Sequence, residues 1–107
     1  MMRAVIAGPD EGGLGTALKS QDVETTDVEG VASRPAMEDA GIHDADLFVL
    51  TDVGQATAIA VAKDVNPKIR VVVYDENSIP EFARSQADLI VDPNLLTVDA
   101  VAEELTA

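Results

Sequence analysis

The 107-residue sequence predicts an α/β fold: a three-layer, doubly wound, Rossmann-like domain whose five-stranded parallel sheet carries helices on both faces. Three observations lead there. Short apolar runs alternate five times with amphipathic or alanine-rich segments. Two of those runs, Leu47-Phe48-Val49-Leu50 and Ile69 to Tyr74, are apolar on both faces, as interior strands of a parallel sheet must be. The opening 29 residues set a strand, a glycine-rich turn, a helix and an acid-tipped strand in the order in which nucleotide-binding units begin.

Arg3 to Ala7 is the first strand. The loop from Gly8 to Gly13 feeds a helix from Leu14 to Gln21, on which Leu14, Ala17 and Leu18 share a face. Val23 to Val28 is the second strand, and its alternation, with Val23, Thr25 and Asp27 on one side, places it nearer an edge. Gly30 ends it. Ser33 caps a helix through Ala40, with Pro35 in its first turn and Gly41 as its stop. Asp46 to Asp52 is a buried central strand. Gly54 and Gln55 open an alanine-rich helix to Val65, which Asn66-Pro67 stops. After the fourth strand, Ile69 to Tyr74, Ser78 caps a helix that turns Ile79, Phe82 and Ala83 inward. Ala87 to Val91 is the fifth strand, Asp92-Pro93 breaks it, and Thr97 to Leu105 is an amphipathic last helix. No linker, low-complexity tract or charge block marks a boundary, so residues 1–107 read as one domain.

The charge excludes some partners. There are 7 Lys plus Arg against 20 Asp plus Glu, and the net charge of −13 is spread along the chain rather than gathered in a tail. Nucleic acid and anionic membrane are poor partners for such a surface. An even acidic coat with only Lys19, Lys63 and Lys68 as lysines, beside 47% hydrophobic residues, matches proteins of salt-loving organisms, in which salt screens self-repulsion. The absence of cysteine removes disulfide frameworks, thiolate metal sites and a cysteine nucleophile. Met1 and Met2 run directly into a short strand with no cleavage region, and no apolar stretch reaches the roughly 20 residues that span a bilayer. The expectation is a cytoplasmic protein without direct membrane insertion.

In a doubly wound domain, ligands bind beyond the carboxyl ends of the strands. Five segments gather there: Gly8 to Gly15, Glu29-Gly30, Thr51 to Gly54, Tyr74-Asp75 and Asp92-Pro93. Gly8, Gly12, Gly13 and Gly15 supply the small residues that let backbone amides approach a pyrophosphate. Against the usual GxGxxG, counting back from Gly15 puts Gly12 on the second glycine position and Asp10 on the first, with Gly8 two residues early. Asp10 and Glu11 repel phosphate unless they turn outward, at about 1 kcal/mol per charge pair in water at contact distance. Glu29, about 17 residues beyond Gly12, stands near the spacing at which an acid accepts from an adenosine ribose. Thr51, Asp52 and Gly54 form a second loop with free amides at a helix start. His43, the sole histidine, reads as a solvated turn residue. There is no GxSxG, no GxxxxGK[ST] and no calcium-loop spacing, so neither catalytic residues nor metal ligands are assigned and the chain is not expected to be an enzyme.

The same segments resemble the N-terminal nucleotide-binding domain of the TrkA/RCK family, regulatory subunits of potassium transporters and channels. The similarity lies in Val5-Ile6-Ala7-Gly8, Gly12 to Leu18, Val28-Glu29-Gly30, the stretch from Ala40-Gly41-Ile42 to Asp52, Ala60 to Asn66 with Arg70 to Val73, and Gln86 to Pro93. The resemblance implies a strand order of 3-2-1-4-5, a tendency to dimerise, and binding of NAD(H), ATP or a similar adenine nucleotide. It places Gly12 and Gly15 at the phosphates, Glu29 at the ribose and Thr51-Asp52 in the neighbouring loop. The expectation is a small, stand-alone, haloarchaeal-type regulatory nucleotide-binding module whose physiological role the sequence leaves open, with regulation of potassium transport as what the resemblance implies. Two alternatives stand beside it. One is an interaction scaffold without a small ligand, whose partner is a second copy or another protein. The other is a receiver-like phosphoacceptor domain, with Asp10-Glu11 as a magnesium-binding acid pair and Asp52 as phosphoacceptor. Asp92-Pro93 stands where a receiver needs a lysine to neutralise the phosphoryl group.

Overall fold

Along each interior strand, successive apolar side chains point to opposite faces, so one sheet organises two separate cores. The computed structural model describes residues Met1–Ala107. Its strands are β1 (Arg3–Ala7), β2 (Glu24–Asp27), β3 (Leu47–Leu50), β4 (Arg70–Tyr74) and β5 (Leu89–Val91). The helices between and after them are α1 (Leu14–Lys19), α2 (Arg34–Asp39), α3 (Thr57–Val65), α4 (Glu81–Arg84) and α5 (Val98–Thr106). Single 3-10 turns at Ile42–Asp44 and Val53–Gln55 precede β3 and α3.

All strand pairs are parallel and the order is β2-β1-β3-β4-β5. On one face Phe48, Leu50, Val71 and Val73 meet Met37, Ile59, Ala62 and Ala83 of α2, α3 and α4. On the other, Ile6, Leu47, Val49 and Val72 meet Leu14, Leu18, Val101 and Leu105 of α1 and α5. The doubly wound α/β class predicted from the sequence is the observed one.

The strand order differs from the 3-2-1-4-5 of the family resemblance: β3 lies between β1 and β4, which is the flavodoxin-like arrangement. The cause is in the strands themselves. Leu47, Phe48, Val49 and Leu50 are at most 1% exposed and need neighbours on both sides. Glu24-Thr25-Thr26-Asp27 has no buried residue and serves as an edge.

Local signals mostly hold. Ser33 accepts from the Ala36 N–H at 3.3 Å and caps α2 behind Pro35, and Thr97 accepts from Ala100 N–H at 3.1 Å to open α5. Asn66 stops α3, and its side-chain amide donates to the carbonyls of Ile42, His43 and Ala45 at 3.1, 3.3 and 2.9 Å, tying the helix end to the turn before β3. The helix expected after Ser78 begins only after Pro80 and lasts one turn, so Ile79 and Ala83 reach the core while Phe82 stays 59% exposed, against the inward placement expected. No helix is long and apolar enough to cross a membrane.

Candidate cleft at the carboxyl edge

The order of the strands fixes where a cleft can open. Connections leave β1 and β3 toward opposite faces, so the loops beyond these two adjacent strands part from one another. There, the β1–α1 loop, the end of β3 and the β4–α4 loop enclose a cleft of about 440 Å³, walled by Asp10, Glu11, Thr51, Tyr74, Asp75 and Glu76. Pro93 and Val98 close its far side.

The β1–α1 loop fills itself. Asp10 serves three consecutive amides: its carbonyl accepts from Gly13 N–H at 3.1 Å, and its carboxylate oxygens accept from Leu14 N–H at 2.8 Å and Gly15 N–H at 2.9 Å. These are the amides that a phosphate at the start of α1 would need. A Cβ at Gly15 would stand 2.9 Å from the Asp10 carboxylate and 3.2 Å from Ile6 Cδ1, so this glycine makes room for an internal acid. Gly8, at φ +103°, lets β1 end against β3, since a Cβ there would run into Thr51 Oγ1 and stand 3.1 Å from Asp52 Cβ.

At the end of β3 the chain is still extended, and neighbouring side chains diverge. Thr51 walls the cleft, and its hydroxyl donates to the Ala7 carbonyl at 3.2 Å. Asp52 is not among the residues that wall the cleft, and its Oδ1 accepts from Gly54 N–H at 2.9 Å, capping the turn that leads into α3. Asp75, at the end of β4, bridges loops: Oδ2 accepts from Val53 N–H at 2.8 Å and Oδ1 from Asn77 N–H at 3.0 Å. Tyr74 is 8% exposed and donates its hydroxyl to the Leu96 carbonyl at 3.2 Å. Burial first, and the charge of Asp10 second, push its phenol above the ordinary value.

Of the eight residues expected to contact a cofactor, only Gly12 and Thr51 wall the cleft. Gly8, Gly13 and Gly15 shape the loop behind it. Asp52 and Gly54 are joined to one another by the cap, and a Cβ at Gly54 would stand 3.0 Å from the Asp52 carboxylate. Glu29 lies elsewhere, in a depression with Thr26, Asp27 and Asp39 beside β2, because β2 is outermost and β1 separates it from β3. The phosphate and ribose positions are therefore not assembled into one site. His43 is exposed and faces Glu38 Oε2 at 3.3 Å, as expected of a turn residue. Glu76 and Val98 were not singled out in the sequence. Glu76 could have been found as a second acid immediately following Asp75 at a strand end.

Residues 4–105 match the model of a family of unknown function (DUF7126), and the chain belongs to that family. No curated protein matches the sequence. Among solved structures, an orphan response regulator of H. pylori is similar at a TM-score of 0.74 and 19% identity, over 97% of this chain and 92% of that one. An atypical orphan response regulator, described as having a phosphorylation-independent regulatory mechanism, is similar at 0.71 and 20% identity, over 96% and 91%. A protein of Burkholderia thailandensis assigned to pilus assembly is similar at 0.71 and 15% identity, over 98% and 95%. At these identities the likeness is one of fold.

These findings overturn the TrkA/RCK resemblance. The matched family is a different one, the similar folds are response-regulator-like, and the strand order is theirs in kind. The reading as a nucleotide-binding regulator of potassium transport falls with it. Its physical flaw is Asp10, whose carboxylate holds the amides on which that reading rested.

Proposed function

We propose that this chain is a receiver-like signalling domain that works through protein contact, without catalysis and without accepting a phosphoryl group. The likeness of fold to response regulators supports the first half of this reading. The second half rests on one observation: the residue at the end of β3 that walls the cleft is Thr51, while Asp52 caps Gly54 outside it.

Aspartyl phosphorylation needs a carboxylate in the cleft, acids free to hold a divalent cation, and a positive side chain opposite the phosphoryl oxygens. Each requirement is met badly. The end of β3 offers the cleft a hydroxyl already bonded to Ala7 rather than the Asp52 carboxylate, and Asp10 and Asp75 spend their oxygens on backbone amides. The strand that should carry the cation ends in Asp92, whose Oδ1 accepts from Asn94 N–H at 2.9 Å. A phosphoryl group placed here would face Asp10, Glu11, Asp75 and Glu76 with no cation in the cleft wall. The phosphorylation-independent mechanism described for one similar protein supports the same direction.

The test is a titration with beryllofluoride and magnesium, following the amide resonances of Gly12, Thr51, Asp52, Gly54 and Asp75. The expected result is no saturable shift through millimolar magnesium. A saturable shift centred on Asp52 or Thr51 would show a working phosphoacceptor site and end the proposal.

A further inference from the structure

Strand β2 pairs with β1 alone, so its other edge stands open. Glu24 and Val28 donate their N–H groups to the Met2 and Ile6 carbonyls at 2.9 and 2.8 Å, which fixes the direction of the alternation: Glu24, Thr26 and Val28 turn their backbone groups to β1. Thr25 and Asp27 turn theirs away from the sheet, and no turn or loop backbone group bonds to either residue. The edge has no proline between Val23 and Val28 and no bulge in its register with β1, so only side-chain charge governs what can pair there.

On the α2 side of β2 lies a depression of about 300 Å³, walled by Thr26, Asp27, Glu29, Ala36, Asp39 and Ala40. Its three carboxylates are exposed, belong to none of the four ion pairs of the chain, and have no cation beside them in the wall. The neighbouring cations are placed elsewhere. Arg3 and Lys19 share other hollows with Glu24, at the start of the strand, while Arg34 pairs with Asp64 and His43 faces Glu38. The carboxyl half of β2 is therefore anionic, with nothing in the chain to answer it.

An added strand alternates its side chains between the two faces of a sheet, so every second one turns toward α2 and these carboxylates. Lysine or arginine at those positions joins ionic attraction to main-chain hydrogen bonding. A second copy is barred, because pairing β2 with itself about a two-fold axis through its centre sets Glu24 opposite Asp27. The acidic cleft offers no open strand, and its Asp10 and Asp75 are already engaged by backbone amides.

We infer that the outer edge of β2 takes a sixth strand from a different protein, an extended segment with lysine or arginine at alternate positions. This names a partner chemistry for a domain read above as working through protein contact, and it rests on that half of the reading alone. No cleft residue takes part.

The test is a titration of the full chain with a blocked peptide of four lysine–valine repeats, followed through the amide resonances at the lowest salt concentration at which circular dichroism shows the native fold. Two companion peptides separate charge from strand pairing. Lysine alternating with proline keeps the charge but loses the main-chain donors of its proline positions, and glutamate alternating with valine can pair but carries the opposite charge. The expected result is a saturable shift centred on residues 24–30 with the lysine–valine peptide, slowed hydrogen exchange at the Thr25 and Asp27 amides, and at least tenfold weaker binding of both companions. Added salt should weaken the binding. Asp27→Asn combined with Glu29→Gln, both at exposed positions, is expected to weaken it at least tenfold with an unchanged circular dichroism spectrum. Equal binding of the lysine–proline peptide would reveal an acidic coat without a strand site and overturn the inference. Binding of the glutamate–valine peptide, shifts centred on Glu11, Asp75 and Glu76, or no saturable shift through millimolar peptide would overturn it too. The beryllofluoride titration reads Thr51 and Asp52 instead, so failure of the cleft reading and failure of this one are told apart.

Discussion

Replacing Asp10 by alanine tests whether the β1–α1 loop is a self-filled turn. The carboxylate accepts from the N–H groups of Leu14 and Gly15 at 2.8 and 2.9 Å, and both residues are buried. Alanine removes both acceptors. Loss of a side-chain cap costs about 1 kcal/mol, and each buried donor left without a partner costs about 1–3 kcal/mol. Asp10 itself is exposed, so water reaches part of the vacated space and holds the total near the low end, about 2–3 kcal/mol. In a domain of this size each kcal/mol moves the thermal midpoint by roughly 4–8 °C, so a fall of roughly 8–24 °C is expected. Removing a negative charge beside Glu11, Asp75 and Glu76 acts in the stabilising direction and must be controlled. Asp10→Asn removes the same charge but keeps one acceptor, so it should lose about half as much. Urea unfolding followed by circular dichroism at one fixed salt concentration measures both variants. If Asp10→Ala lies within about 0.5 kcal/mol of the parent, or Asn and Ala are equal, the capping argument is wrong.

Two further expectations come from the same geometry. Gly8→Ala should cost more than about 2 kcal/mol, because a left-handed backbone penalty of about 1–2 kcal/mol is joined by collision with Thr51. Gly30→Ala, at φ +69° with nothing within 4 Å of a Cβ, should cost only the backbone part, and equal losses at the two sites would refute the packing argument. Asp88 gives a pH signature. Burial alone would raise its pKa, but the Val71 N–H, the Lys63 ammonium and the charge of Arg70 outweigh burial and hold the carboxyl below its ordinary value. A depressed carboxyl contributes stability that is complete above the unfolded value near pH 4 and lost as pH falls through the folded one. The stability gap between the parent and Asp88→Asn should therefore hold from neutrality to about pH 5 and shrink below about pH 4. A gap that stays flat or widens on acidification would contradict the assignment.

The fold was legible because its signals are local and repeated. Leu47 to Leu50 carries apolar side chains on both faces, and Glu24 to Asp27 carries none that are buried, so a central β3 and an edge β2 could be read from residue type alone. The order 3-2-1-4-5 entered through family resemblance and contradicted that reading, and the residues proved the better guide. The site was less legible for a directional reason. A glycine-rich turn has the same composition whether its amides face a ligand or an internal acid, and only the position of the Asp10 carboxylate separates the cases. Thr51 and Asp52 are likewise adjacent in sequence but take opposite roles, which a one-residue turn of the strand decides. Phe82 was misplaced because α4 stops after four residues, too short to carry the face its sequence pattern suggests.

The position of β1 between β2 and β3 has a consequence for how the chain acquires its structure. Arg3 donates its N–H to Asp46 across 43 residues of sequence, and Ala4 to Ala7 pair with Leu47 to Leu50. On a ribosome adding roughly 5–20 residues per second, β1 waits on the order of 2–9 s for its inner neighbour. During that interval it can pair only with β2, and the face it will share with β3 stands open. The β1–β3 contacts can thus form only after β1 has met β2 and before β4 and β5 exist to continue the sheet, and in this interval a nascent chain of this design is exposed to wrong strand partners.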